Sequence, residues 1–209
     1  MNENDIRQIV SRVLSTLADD KKPIPIESSA RHVHLTKEAV ELLFGKGAVL
    51  TKKRDLSQPG EFLSEQRLKL VTAKGEIVNV AVLGPERKAV QVELSMTDCR
   101  QLGIKAPVNL SGDLTNAGDV YLVSENAVLD AKGSVIVAQN HIHMTEQDAS
   151  YYGVTNNQKV RVTASTDRPV TFENVVIRVN NNFALAMHID FDEANACCLG
   201  KDSVGKLSL

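Results

Sequence analysis

The sequence predicts a mainly β protein built from two similar β domains and preceded by an amphipathic helix. Three observations support this prediction. Short apolar segments typical of strands dominate the chain after residue 23, the helical segments between them are short, and one strand-end motif occurs four times, twice in each half. A parallel α/β fold is disfavoured, because turns rather than crossover helices join most of the long strand segments.

The predicted N-terminal helix covers residues 5 to 18. Its apolar residues recur three and four positions apart and form a single stripe, which consists of Ile6, Ile9, Val10, Val13, Leu14 and Leu17. The charged segment DDKKPIP, with two prolines, ends the helix and is expected to form an extended linker. Because a helix of about 14 residues is marginal alone in water, we expect the stripe to pack against a partner surface.

Strand segments follow in close succession: RLKLVTA, EIVNVAVLG, AVQVEL, DVYLVS, SVIVAQ, KVRVTAS, PVTFENVVIRV and FALAMHI. The tripeptide AKG occurs at residues 73–75 and 131–133, and both copies are predicted to be turns. Short helices are predicted at KEAVELLF, TDCRQLG, EQDASYYG and FDEANACCLG, each of which ends at or near a glycine suited to a C-terminal cap.

The motif that occurs four times consists of a strand end followed by the start of a short helix, and it is called the repeated unit. Its four copies read HVHLT from His32, ELSMT from Glu93, HIHMT from His141 and AMHID from Ala186. In each copy the first and third residues share one face of the strand, since side chains alternate with a period of two. Thr or Asp then follows as the expected N-cap of the helix. Two units in each half of the chain indicate a duplicated architecture.

All five histidines of the chain occupy this register, together with one glutamate. We therefore predict a metal-ligand set of His32, His34, Glu93, His141, His143 and His188. Imidazoles with one carboxylate suit zinc or a similar divalent transition metal, whereas magnesium and calcium prefer oxygen ligands. Six ligands predict two metals, because a catalytic zinc has about three protein ligands. Ser95, a poor zinc ligand, is expected to hydrogen-bond near the ligands or to contact substrate.

Composition excludes several classes of partner. The 24 basic and 26 acidic residues form no long run of either sign, which argues against a nucleic acid or an anionic membrane as partner. No apolar run reaches about 18 residues, and the start MNENDIRQ lacks the features of a secretory signal, so we expect a cytoplasmic protein. Three cysteines, two of them adjacent, form neither a disulfide framework nor a Cys-x-x-Cys zinc site.

Five motifs, in order and over nearly the whole chain after residue 23, resemble the PduL-type phosphate propanoyltransferases, the phosphotransacylases of bacterial microcompartments. The motifs are RHVHL, LSQPG, VLGPERKAVQVELS, QNHIHM and MHIDFDEANA. The resemblance implies two β-barrels capped by short helices, two zinc ions in one site, and reversible transfer of a short acyl group between coenzyme A and phosphate. It also implies a crossed chain path, with residues 21–30 and 139–209 in one barrel and residues 31–138 in the other.

The resemblance also implies roles for single residues. It assigns Arg87 to phosphate, although a loop arginine between Glu86 and Lys88 is by itself more often a solvated charge. For coenzyme A it indicates Ser29, Lys53, Arg54, Leu83 and Asn195. Residues 1–20 match a targeting helix and linker that bind a microcompartment shell or core protein, and a homo-oligomer is expected. The chain has no Gly-x-Ser-x-Gly motif, so we expect phosphate to attack the thioester directly.

Two alternatives remain at the level of the sequence. His32, His34, Glu38 and Gly45 have the spacing of the first cupin motif, which would indicate a metal-dependent oxygenase or isomerase. Against it, Glu38 belongs to a segment with helical periodicity, whereas a cupin ligand lies on a strand. The second alternative is a non-enzymatic metal-binding structural protein. A metal hydrolase on a (β/α)8 barrel is excluded, since the 209-residue chain is too short and too rich in strands.

Overall fold

The computed structural model describes residues 5–10 and 21–209, and within these ranges the protein is mainly β, as predicted. Residues 5–10 are helical and exposed, in agreement with the start of the predicted N-terminal helix. The rest of that helix lies outside the described residues. Every helix in the described part of the chain is too short or too polar to cross a membrane.

Fourteen strands follow after residue 20. They are β1 (Ile24–Ser29), β2 (His32–His34), β3 (Lys52–Asp55), β4 (Phe62–Val71), β5 (Glu76–Gly84), β6 (Gln91–Leu94), β7 (Val108–Asn109), β8 (Gly118–Val123), β9 (Val128–Ala138), β10 (His141–Met144), β11 (Lys159–Ser165), β12 (Thr171–Val179), β13 (Ala186–Asp190) and β14 (Val204–Ser208). β1 begins inside the segment predicted to be a linker.

The strands close into two six-stranded barrels. The first has the order β1-β13-β10-β12-β11-β14 and closes where β14 pairs with β1. The second has the order β4-β5-β2-β6-β9-β8 and closes because β8 pairs with both β4 and β9. β3 and β7 extend the second barrel at β4 and β9.

The two barrels repeat one pairing pattern. β2 is parallel to β5 and antiparallel to β6, and in the same way β10 is parallel to β12 and antiparallel to β13. β6 is parallel to β9, as β13 is to β1. β1 therefore occupies in the first barrel the position that β9 occupies in the second. A strand from the N-terminal part of the chain thus completes a barrel of C-terminal strands.

Each barrel encloses its own apolar core. Strand residues alternate between buried and exposed, as in β11, whose Val160, Val162 and Ala164 are all buried. Gly205 in β14 is required for close packing, because a Cβ at this position would lie 2.5 Å from Cγ1 of Val162. Burial of two such cores supplies most of the driving force for folding.

Four short helices follow the four strand ends of the repeated unit: α1 (Lys37–Phe44), α2 (Met96–Leu102), α3 (Glu146–Tyr152) and α4 (Phe191–Ala196). Thr36, Thr145 and Asp190 are the N-caps of α1, α3 and α4, as predicted. Gly103 and Gly153 end α2 and α3 in the left-handed conformation, with φ of 65° and 63°.

Two local predictions were wrong. Thr97, expected to be the N-cap of the second unit, is not the cap; Ser95 is the N-cap of α2, where its hydroxyl accepts a hydrogen bond from the backbone N–H of Asp98. The true second unit is therefore QVELS from Gln91, two residues earlier than predicted. The AKG at 73–75 is a turn, whereas the AKG at 131–133 lies inside the continuous strand β9, with Gly133 at φ 59°.

Candidate metal and phosphate site

The four strand ends of the repeated unit bring the six predicted ligands to one cavity of about 530 Å³. The antiparallel pairs β2–β6 and β10–β13 place His32 directly opposite Glu93, and His141 directly opposite His188. Side chains two residues apart share a strand face, so His34 and His143 join these pairs. Each barrel therefore contributes one cluster of three candidate ligands.

The cluster of the second barrel consists of His32, His34 and Glu93, all of which are buried. Nε2 of His32 lies 3.2 Å from Nε2 of His34 and 3.5 Å from a carboxylate oxygen of Glu93. One ligand atom from each residue lies within 4.8 Å of the other two. Three donors at this separation can converge on a single metal ion.

The cluster of the first barrel consists of His141, His143 and His188. Ring centroids are 4.6 Å apart for His141 and His143, 4.9 Å for His143 and His188, and 5.4 Å for His141 and His188. Nδ1 of His143 is buried and has no hydrogen-bond partner among the residues that the structure describes, and the same holds for Nδ1 of His34. A buried nitrogen without a partner is costly unless a further group binds it.

Burial and neighbouring charges determine the protonation of these groups. Burial lowers the pKa of His141 and of His188 to about 4, so both rings are neutral at pH 7. Burial also disfavours the charged form of His32, but the adjacent Glu93 carboxylate outweighs this effect and raises the pKa of His32. In turn, His32 keeps the pKa of the buried Glu93 well below its usual range. Each residue therefore stabilises the charged form of the other across their 3.5 Å contact.

Arg87 enters the cavity from the loop after β5. Its guanidinium donates to Oε1 of Glu61 at 3.0 Å and to the Ser111 hydroxyl at 3.1 Å. Gln91 extends this network, since its amide donates to Ser111 at 2.9 Å and to Glu93 at 2.6 Å. A continuous chain of hydrogen bonds thus connects Arg87 to a candidate metal ligand.

The residues expected to bind coenzyme A divide into two groups. Ser29, Arg54 and Leu83 line the cavity. Lys53 and Asn195 are exposed and do not line the cavity. Nζ of Lys53 instead forms an ion pair with Oε2 of Glu65 at 3.6 Å.

Three residues of the site were missed by the analysis of the sequence: Gln58 and Arg178, which line the cavity, and Gln91, which hydrogen-bonds to the lining residues Glu93 and Ser111. Gln58, in the LSQPG motif, is buried, and its Nε2 lies 3.3 Å from Nε2 of His188. Gln91 donates a hydrogen bond to Glu93, and it is the first residue of the second unit when the units are aligned on their N-cap residues. Arg178, on β12, lines the cavity beside His143, its partner in the β10–β12 register. Only the position of Gln91 could have been found beforehand, by aligning the units on their N-caps.

Two other chemistries are disfavoured by the structure. Glu38, which a cupin would need on a strand, is exposed on α1, and it does not belong to the candidate metal group found among the described residues. Cys99 is buried on α2, and burial raises the pKa of its thiol to about 11, so it is not an activated nucleophile.

Comparison with known proteins identifies relatives over nearly the whole chain. A family model described as phosphate propanoyltransferase matches residues 25–200. A protein named phosphate propanoyltransferase from Priestia megaterium is 47% identical over 212 residues, which cover 100% of this chain and 98% of the relative. Proteins of the same name from Leptotrichia buccalis and Thermotoga maritima are each 46% identical, over 94% and 86% of both chains, respectively. The chain therefore belongs to the phosphate propanoyltransferase family.

Proposed function

We propose that the protein is a zinc-dependent phosphate acyltransferase that reversibly transfers a propanoyl or acetyl group between coenzyme A and inorganic phosphate. Family membership supports the reaction class. The observation that carries the proposal is the convergence of two three-residue clusters and Arg87 on one cavity. Each cluster has the donor number that a catalytic zinc requires.

The donor sets fit two divalent transition metals. His32, His34 and Glu93 would hold one ion, and His141, His143 and His188 would hold the other. The unpartnered Nδ1 of His143 and the low pKa of His141 and His188 leave lone pairs available at neutral pH. When bound, the ions supply positive charge beside the carbonyl and the phosphate and so stabilise the charge that develops during transfer.

The reaction proceeds by direct attack of phosphate on the thioester. A phosphate oxygen forms a bond to the carbonyl carbon, the carbon–sulfur bond breaks, and the leaving thiolate takes up the proton of hydrogen phosphate. Arg87 binds the phosphate through its planar guanidinium, which suits two phosphate oxygens at once. Glu61 and Ser111 hold this guanidinium in the cavity until phosphate binds.

Coenzyme A is proposed to enter along the cavity wall formed by Ser29, Arg54 and Leu83. Leu83 offers an apolar surface, and Arg54 offers a charge for the phosphates of the cofactor. The contacts of Lys53 and Asn195 with coenzyme A stay predictions, because neither residue lines the cavity.

We further propose that the protein resides in a bacterial microcompartment and binds a shell or core protein through residues 1–20. Three apolar side chains of the described helical segment support this partner. Ile6, Ile9 and Val10 are 45%, 51% and 49% exposed. A helix with an exposed apolar stripe is suited to recognition by a groove or another helix. A homo-oligomer stays a prediction.

The metal assignment is tested by replacing His143 with Ala and measuring bound metal by mass spectrometry. We expect His143→Ala to lose metal and phosphate-dependent turnover while its circular dichroism spectrum is unchanged. Ile142→Val is the matched control, because Ile142 lies on the same strand and points into the core. The control should lose only about 1 kcal/mol of stability. Two equivalents of metal and normal turnover in His143→Ala would refute the assignment.

A further inference from the structure

We propose that Arg178 is a second phosphate-binding residue of the site, supplied by the first barrel, whereas Arg87 is supplied by the second. The inference rests on the proposed acyltransferase function and adds a substrate-binding residue to it. The phosphate group recognised is either the transferring phosphate or a phosphate of coenzyme A. Both have the same chemistry, and the experiment below separates them.

Three of the other four arginines that line the cavity already have partners, and the fourth, Arg54, is exposed to solvent. Arg87 pairs with Glu61 at 3.0 Å, Arg31 pairs with Asp98 at 3.0 Å, and Arg67 donates to two backbone carbonyls. Arg178 differs from them. Within residues 5–10 and 21–209 its guanidinium forms no ion pair. Its Cζ lies over the Phe183 ring, 5.9 Å from the ring centroid.

Arg178 is also only partly exposed to solvent. A half-buried cation loses hydration, and a cation–π contact replaces only part of that loss. Glu93 and Glu61 act on this charge only from a distance, without a direct ion pair. An anion delivered into the cavity would supply a direct counter-charge. The unpaired charge therefore points to a ligand that the cavity receives during the reaction.

The position of Arg178 is fixed beside the candidate metal ligands. In the parallel β10–β12 pair it lies opposite His143. Phe183 packs against both residues, since its ring centroid is 4.1 Å from that of His143. The aromatic ring thus restrains the guanidinium next to the cluster of the first barrel.

The equivalence of the two barrels shows how this position is specialised. The β2–β5 pair places Leu83 opposite His34, where the β10–β12 pair places Arg178 opposite His143. Both residues line the cavity. The same structural position is thus apolar in one barrel and cationic in the other. We assign the apolar side to the acyl or pantetheine part and the cationic side to a phosphate.

The test is calorimetric titration of the metal-loaded protein with inorganic phosphate and, separately, with coenzyme A. Arg178→Ala should weaken one of the two affinities by about 10- to 100-fold, the usual effect of losing a charge-assisted hydrogen bond. A weaker phosphate affinity identifies the transferring phosphate as the ligand, and a weaker coenzyme A affinity identifies a phosphate of the cofactor. Arg161→Ala is the matched control, since Arg161 is exposed on the same barrel. It should alter neither affinity.

Metal content and melting temperature should be unchanged in Arg178→Ala. If this variant does not fold, Arg178→Met keeps the long stem over Phe183 and is subject to the same criterion. Wild-type affinities for both ligands in the folded variant would overturn the proposal. Failure of the proposed function gives a different result, because the wild-type protein would then release no thiol from propanoyl-CoA in response to phosphate.

Discussion

At the scale of single residues, the first histidine of each pair is held in the same way in the two barrels. Nδ1 of His32 donates to the carbonyl of Ala30 at 2.8 Å, and Nδ1 of His141 donates to the carbonyl of Gln139 at 2.8 Å. These hydrogen bonds fix the ring orientation and leave the lone pair of Nε2 free in the neutral ring. A metal and a proton therefore compete for the same nitrogen.

The lowered pKa of the buried His141 and His188 predicts that the metal-free protein loses stability as the pH falls from 7 to 5. The pKa of His141 and of His188 is about 4 in the folded state and about 6.5 in the unfolded state. Between these two pKa values the unfolded chain binds more protons than the folded protein. The contribution of the two histidines to the free energy of unfolding is therefore complete above pH 6.5 and decreases as the pH falls towards 4. Each histidine contributes about 2 kcal/mol to the loss of stability between pH 7 and pH 5. His32, whose pKa is raised, opposes the trend but is outnumbered.

Thermal melts of the chelator-treated protein at pH 7, 6 and 5 measure this effect. His188→Gln removes one titrating ring, so the decrease in melting temperature with pH should be shallower in this variant. A melting temperature that stays constant or rises from pH 7 to pH 5 would show that the histidines are not buried in the neutral form.

The candidate ligands could be predicted because all five histidines share one strand-end register, which depends only on local spacing. Arg178 and Gln58 could not. Gln58 is buried and contacts Ala184 and His188, which lie more than 100 residues away along the chain. Arg178 matters because it is partly buried in the wall of the cavity. Spacing along the chain contains no information about such contacts.

At the scale of elements, the strand end and its capped helix form the unit that builds the site. The N-cap residue follows the strand end, and a candidate ligand lies two residues before it in all four units. In the two units that contain a pair of histidines, a second candidate ligand lies four residues before the N-cap. In the second unit both Ser95 and Thr97 are acceptable N-caps by residue type. Only the structure shows that Ser95 is used, so the sequence predicted the element but not its register.

The capping role makes a specific prediction for Ser95→Ala. The variant loses the hydrogen bond from Asp98 N–H to the Ser95 hydroxyl, so the free energy of unfolding should fall by about 1 kcal/mol. Bound metal should not change. Thr97→Ala is the matched control, because Thr97 is exposed and its side chain does not cap α2. Urea unfolding measures the stabilities. Loss of metal without loss of stability in Ser95→Ala would instead place Ser95 among the groups that serve the ligands.

At the scale of the whole molecule, the first barrel is built from two separate stretches of the chain, because the N-terminal strand β1 joins the C-terminal strands β10 to β14. We propose that the two barrels are two domains, with residues 21–30 and 139–209 in one and residues 31–138 in the other. β1 closes the first barrel between β13 and β14. The alternation of apolar residues predicted that barrels would form. It could not predict which strand closes them, because strand pairing over more than 150 residues leaves no local pattern.

Two deletions distinguish the proposed targeting segment, residues 1–20, from the barrel. Removal of residues 1–20 should leave bound metal and transacylase activity nearly intact while abolishing association with shell proteins. Removal of residues 1–30 also removes β1 and should unfold the first barrel, because β13 and β14 both lose a pairing partner. Circular dichroism, metal analysis and co-sedimentation with shells are the measurements. If the shorter deletion already loses its fold or its metal, the N-terminal helix belongs to the enzyme core.

The most direct test of the central claim is the release of coenzyme A thiol from propanoyl-CoA by the zinc-loaded protein, measured with and without inorganic phosphate. The two three-residue clusters and Arg87 at one cavity predict that thiol release requires phosphate and that one acyl phosphate forms for each thiol released. Release at the same rate without phosphate would identify a thioester hydrolase, and no release under either condition would leave a metal-binding protein without acyl transfer. Either result would contradict the proposed function.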